Sequence, residues 1–192
     1  MQKFLLFFSV ILVLFSCKQT TTNKNQNSNK DTSSVAEEEV TPDIKKLRQE
    51  YVLDYNKSTE FESFHKGRSD ERLKVLGKYY CLFDNAIVVP GKYNFDDTTK
   101  SFRTHNFAED IVIISNGDTI IKRTITKKDF LDKLPQSLKD YAVIFEPKFD
   151  GYNSADDVFD FHFSVSIPLT DVGQLMSLSL KRNGQITDNK AE

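Results

Sequence analysis

Tryptophan is absent from this chain of 192 residues, cysteine occurs twice, histidine three times and glycine only seven times. Each scarcity excludes something. Two cysteines permit at most one internal disulfide, so no disulfide framework holds the fold. His65, His105 and His162 stand at no metal-ligand spacing, and neither Cys-x-x-Cys nor His-Glu-x-x-His occurs. The few glycines form no phosphate-cradling loop, no dinucleotide fingerprint and no Gly-x-Ser-x-Gly turn. No cofactor, metal or enzyme activity is therefore expected. An excess of one charge is missing too: 26 basic against 28 acidic residues leave a formal charge of −2, with the two signs interspersed. That gives no electrostatic footprint for nucleic acid.

A long apolar run is also lacking. Phe4 to Phe15 (FLLFFSVILVLF) is roughly a dozen residues, whereas a spanning helix needs about 20. Behind Met1-Gln2-Lys3 it fits the apolar stretch of an export signal. It ends in Leu14-Phe15-Ser16-Cys17, which resembles the lipobox of bacterial lipoproteins. The resemblance implies cleavage after Ser16, a diacylglycerol on Cys17 and acylation of the new amine, hence membrane attachment through Cys17. An ordinary secretory signal with a chance cysteine, or an uncleaved anchor, is the alternative. With Cys17 acylated, Cys81 is left alone, and its aromatic setting (YYCLF) predicts a buried, inert thiol.

Three regions follow: a signal at 1–16, a lipidated cysteine with a disordered tether at 17–40, and a single domain at 41–192. The tether is rich in Thr, Asn, Gln, Ser and Lys, holds no aromatic residue, and cannot bury enough apolar surface to offset its ordering entropy. Such a tether after Cys17 resembles those of Bacteroidota envelope lipoproteins. Lys18-Gln19-Thr20 lacks the acidic residues associated there with surface export, which implies an outer-membrane protein facing the periplasm.

The domain carries most of the 16 Phe and 7 Tyr. Thr41-Pro42-Asp43 opens a helix, with Ile44, Leu47, Tyr51 and Tyr55 as its apolar stripe. Phe61 and Phe64 suggest another helical turn, and Leu73 with Val75 the start of a strand. Tyr79 to Val89 reads as strand, closed by Pro90-Gly91. Residues 110–115 and 118–125 flank Asn116-Gly117, which predicts a hairpin on a type I′ turn. Thr126 and Asp129 form a capping box for a short helix with Phe130, Leu131 and Leu134 on its apolar side. Strands are expected at Tyr141–Glu146 and Val158–Ile167, the latter with Phe159, Phe161, Phe163, Val165 and Ile167 on one face. Met176, Leu178 and Leu180 alternate likewise, and the last residues read as frayed. The fold class expected is α+β, mainly an antiparallel sheet, open or curled, with one or two packed helices.

Candidate chemistry is sparse. Asp160 and His162 share the polar face of their strand, where a carboxylate can orient and charge an imidazole. Acidic groups recur at Asp96-Asp97 and in the segment Asp150 to Asp157, whose oxygen donors lack the spacing of a calcium loop and read as a turn. The Tyr79-Tyr80 strand, the Asn116-Gly117 hairpin, the helix start at 126–130 and the Phe-rich terminal strand pair resemble an uncharacterised family of small Bacteroidota lipoproteins over residues 75–185. That resemblance implies no activity. The function expected is a non-catalytic envelope module binding a protein partner or glycan. The alternative is a carrier of a small apolar ligand inside a curled sheet, and behind it an envelope hydrolase using His162.

Overall fold

Alternation of apolar and polar residues accounts for most of the computed structural model, which describes residues 42–94 and 98–191. Ser16, Cys17, the tether and Asp96-Asp97 lie outside the described residues. The chain divides after Glu37 into two units, and everything described belongs to the second, Glu38–Glu192.

Helix α1 (Pro42–Asp54) comes first. Its inward row is Arg48, Tyr51 and Tyr55. The Arg48 guanidinium lies 4.5 Å from the Phe102 ring centre, and both phenols hydrogen-bond with Thr104 Oγ1 at 2.9 Å. Leu47 falls beside this row and is 54% exposed, contrary to the stripe expected of it.

The chain then forms β1 (Thr59–Lys66), β2 (Arg72–Cys81), β3 (Ile87–Val89), β4 (Phe102–Thr104), β5 (Phe107–Ser115) and β6 (Asp118–Thr126). Helix α2 (Gln136–Tyr141) leads into β7 (Val143–Ile144), β8 (Lys148–Asn153), β9 (Val158–Ser166), β10 (Gly173–Lys181) and β11 (Ile186–Ala191). One sheet has the order β1-β2-β5-β6, a second β11-β10-β9-β7 with β8 also on β9, and β3-β4 form a two-stranded ribbon. All these pairings are antiparallel. The fold is thus mainly antiparallel β, with a curled half-barrel sheet and two helices.

The core lies on the inner faces. Phe159, Phe161, Phe163, Val165 and Ile167 are fully buried, as are Met176, Leu178 and Leu180. They belong to one apolar cluster with Leu73, Val75, Ile111, Ile113 and Ile125 of the first sheet. Each such side chain contributes about 1.5–3 kcal/mol by leaving water. Phe149 of β8 joins the sheets, stacked 6.3 Å from Phe61 and tilted 5.0 Å from Phe161. The hairpin turn has positive φ at both central residues, Asn116 (49°) and Gly117 (102°), as expected. The capping box is present too: the Asp129 carboxylate accepts from the Thr126 amide at 2.9 Å, and Thr126 Oγ1 from the Lys128 amide at 3.3 Å.

Departures from the sequence reading have local causes. Phe61 and Phe64 lie in a strand, not a helical turn; three residues apart, they point to opposite faces, and Phe64 is 70% exposed. The strand expected over Tyr79–Val89 breaks after Cys81, where Phe83 and Asn85 take positive φ. Tyr141 closes α2, so β7 keeps only two residues before Pro147, which has no amide hydrogen. Asp150 lies in β8 at a bulge, so the turn expected over 150–157 is present only at 154–157. The terminal residues pair with β10 as an edge strand rather than fraying.

Candidate functional site

Between β2 and β3 the chain makes a strained loop, Leu82 to Ala86. Phe83 (φ 52°) and Asn85 (φ 50°) occupy the left-handed region, which asparagine tolerates and which costs Phe83 about 1–3 kcal/mol. Hydrogen bonds hold the loop there. Asp84 Oδ1 accepts from the amides of Asn106 at 2.9 Å and Ala86 at 3.2 Å, and Oδ2 from the Asn106 side chain at 2.7 Å. The Leu82 amide donates to the Asn106 carbonyl at 2.9 Å, the Asn85 amide to His105 Nδ1 at 2.9 Å, and Arg103 Nη1 to the Asn85 carbonyl at 3.0 Å. Burial opposes the charge on Asp84, but these donors outweigh it and hold the carboxyl below its ordinary range. The result is a braced loop that presents Leu82 and Phe83 to solvent, 40% and 56% exposed.

Beside the loop lies a pocket of about 430 Å³. Its apolar lining includes Leu82, Ile87 and Leu131, and its charged lining is Asp84, Asp140, Lys127, Lys128 and Lys139. Lys127 Nζ donates to the carbonyls of Lys139 at 2.8 Å and Ala142 at 2.7 Å, closing the end of α2. An ammonium has three donors, so one remains. Burial pushes the pKa of Lys127 down, opposed by Asp140 and Asp84. Asp84 is engaged as above, and one oxygen of Asp140 accepts from the Gln136 side chain at 2.8 Å. The ammonium groups of Lys128 and Lys139 have no hydrogen bond or ion pair among the described residues. The pocket therefore offers spare cationic donors beside an apolar wall.

Asp160 and His162 lie on the outer face of the second sheet. Asp160 accepts from Ser179 Oγ at 2.5 Å. The carboxylate at His162 Nδ1 is that of Asp150, on the neighbouring strand β8. Lys148, opposite His162 in the register, has its Nζ 3.8 Å from Asp150. Cys81 is buried, as expected, and burial raises its thiol pKa. Among the described residues no group of three or more His, Cys, Asp or Glu side chains is arranged to hold a metal.

Two features were not singled out from sequence. Asp84-Asn85 interrupts an apolar run with turn-forming residues, a signal that marks the loop. Glu109 stands in the apolar alternation of Phe107, Ile111 and Ile113, and its face is legible from that period. It is 1% exposed, and neither carboxyl oxygen has a well-formed hydrogen bond among the described residues. Burial, reinforced by Glu146 and Asp110, pushes its pKa up to about 8.

No family model matches this chain, and no curated protein shows significant similarity to it.

Proposed function

We propose that this is a lipid-anchored cell-envelope protein, attached through Cys17 to the outer membrane and facing the periplasm, whose β domain is a non-catalytic module that binds an envelope partner. The observation that carries the binding reading is the braced 82–86 loop, with Phe83 strained and the Leu82-Phe83 pair exposed. Backbone strain persists where surroundings over-determine it, and such positions cluster at binding sites. An exposed aromatic on a rigid support is well suited to an interface, because little side-chain entropy is lost on docking. The lipobox and tether supply the address.

A small apolar ligand carried inside the curled sheet is less well supported. Phe159, Phe161 and Phe163 fill the inner face, and each is fully buried.

The test is chemical crosslinking in intact cells, followed by purification of the lipidated chain and mass spectrometry. One reproducible envelope partner, absent when the domain is deleted and residues 1–40 are kept, is the expected result. Recovery of the same proteins by the tether alone would contradict the reading, as would failure of labelled palmitate to enter the wild-type chain.

A further inference from the structure

The pocket beside the 82–86 loop carries unused positive charge, and this bears on the chemistry of the partner; the inference rests on the binding reading above. Five charged side chains line it, three lysines and two aspartates. Asp84 accepts two backbone amides and the Asn106 side chain, and Asp140 accepts from Gln136 through one oxygen. The lysines keep more open sites. Lys127 keeps one of its three donors, and the ammonium groups of Lys128 and Lys139 have no partner among the described residues. Donors thus outnumber free acceptors in a cavity of about 430 Å³, which is enough for one or two side chains.

The apolar groups adjoin it on one side. Leu82 and Leu131 line the pocket and are 40% and 37% exposed, and Phe83, 56% exposed, stands next to Leu82 on the loop. A small anion would satisfy the lysines and leave Phe83 uncovered. A chain that enters the pocket with a carboxylate and lies across the loop with apolar side chains would engage both.

We propose that the pocket and loop together form a docking site for an acidic peptide segment of a partner protein, in which a Glu or Asp carboxylate is held by Lys127, Lys128 and Lys139 while a neighbouring apolar side chain packs on Leu82 and Phe83. Carboxylate–ammonium hydrogen bonds are about twice as strong as neutral ones. Because Lys128 is exposed, salt screens part of the attraction and binding weakens as ionic strength rises. The braced backbone limits the ordering entropy lost on docking.

The test uses the full chain in detergent and the fluorescence anisotropy of labelled hexapeptides. The probes are Leu-Glu-Leu-Glu-Leu-Glu, its Gln counterpart, and inorganic phosphate and sodium octanoate as competitors. The Glu peptide should bind at least about tenfold more tightly than the Gln peptide, a difference the size of one charged contact. Lys128→Glu with Lys139→Glu should abolish that preference, Lys128→Arg with Lys139→Arg should preserve it, and Phe83→Ala should weaken both peptides. Melting temperatures of the variants separate lost binding from lost folding. Equal binding of the two peptides, or unchanged preference after charge reversal, would overturn the acidic-peptide proposal. So would displacement of the peptide by millimolar phosphate or octanoate, which would make the site one for a small anion. The wider binding reading fails separately: a partner recovered from cells equally by the charge-reversed chain leaves that reading standing and removes only this proposal.

Discussion

At the residue scale, Glu109 is the buried carboxyl whose titration falls nearest neutral pH. The unfolded chain releases its proton near pH 4.5 and the folded chain near pH 8. Between those values the folded state holds a proton that the unfolded state has lost, so stability falls as pH rises and levels off above about pH 8. At about 1.4 kcal/mol per pH unit, the whole effect is on the order of 5 kcal/mol. Glu109→Gln keeps the shape and removes the titration. Its melting temperature at pH 8 should exceed that of the wild type by roughly 10–20 °C, with the difference vanishing near pH 4.5. Thermal unfolding monitored by circular dichroism across pH 4–9 checks this, and parallel curves for the two proteins would contradict it. The inward position of Glu109 follows from the period of its strand. Its lack of partners does not, because that depends on Gly77 and Phe61. A side chain at Gly77 would collide with both the Phe61 ring and Glu109 Oε1, and such proximity between strands cannot be read from one strand alone.

At the scale of elements, legibility tracks how local the cause is. The hairpin at Asn116-Gly117 and the capping box at Thr126 are written in adjacent residues, and both are present. Gly117 has φ 102°, a conformation that a β-branched residue resists. Gly117→Val should lower stability by about 1–3 kcal/mol, measured by urea unfolding; an unchanged midpoint would count against the turn. Helix α2 was missed because its single buried residue, Leu138, leaves no period to detect. The pocket was missed for a related reason: Lys127 reads as a capping-box neighbour until the carbonyls of α2 arrive around its ammonium. The 82–86 loop depends on Asp84, which organises the amides of Ala86 and Asn106 from both sides. Asp84→Ala should cost about 1.5–3 kcal/mol, because hydrogen bonds to a charged group are removed. Amide exchange at 82–86 should accelerate in that variant while the β9–β10 core stays protected. Equal exchange in the loop would show that Asp84 is not its brace.

At the scale of the whole molecule, a polar cluster ties the ends of the two sheets. Arg182, in the turn after β10, donates to Glu71 Oε1 at 2.7 Å and Oε2 at 2.5 Å, and its Nε lies 3.3 Å from both oxygens of Asp157. Ser115 and Tyr152 complete the set, the first on Glu71 and the second on Asp157 at 2.7 Å. Arg182 holds the Glu71 carboxyl below its usual range, and the Tyr152 phenol, followed by Arg182, does the same for Asp157. These two groups add stability above about pH 4 that is lost as pH falls through their depressed values, the opposite slope to Glu109. Stability should therefore peak in weakly acidic solution. Arg182→Met should lower it there by about 1–3 kcal/mol and flatten the acid limb of the same pH series. None of these residues forms a recognisable pair in sequence, since Glu71 and Arg182 meet only when the sheets do. Asp160 and His162, which do pair in sequence, instead engage Ser179 and Asp150 on the outer face of the second sheet.

On the proposal above, the lipidated protein meets its partner through the 82–86 loop. The most direct measurement places the photo-crosslinking residue p-benzoylphenylalanine at position 83 of the full chain, or at position 64 on the outer face of β1, and irradiates intact cells. Both native residues are exposed phenylalanines, so the substitutions perturb the fold little. One discrete crosslinked envelope protein is expected from position 83 and none from position 64. The same adduct from both positions, or none from position 83 alone, would contradict the proposal.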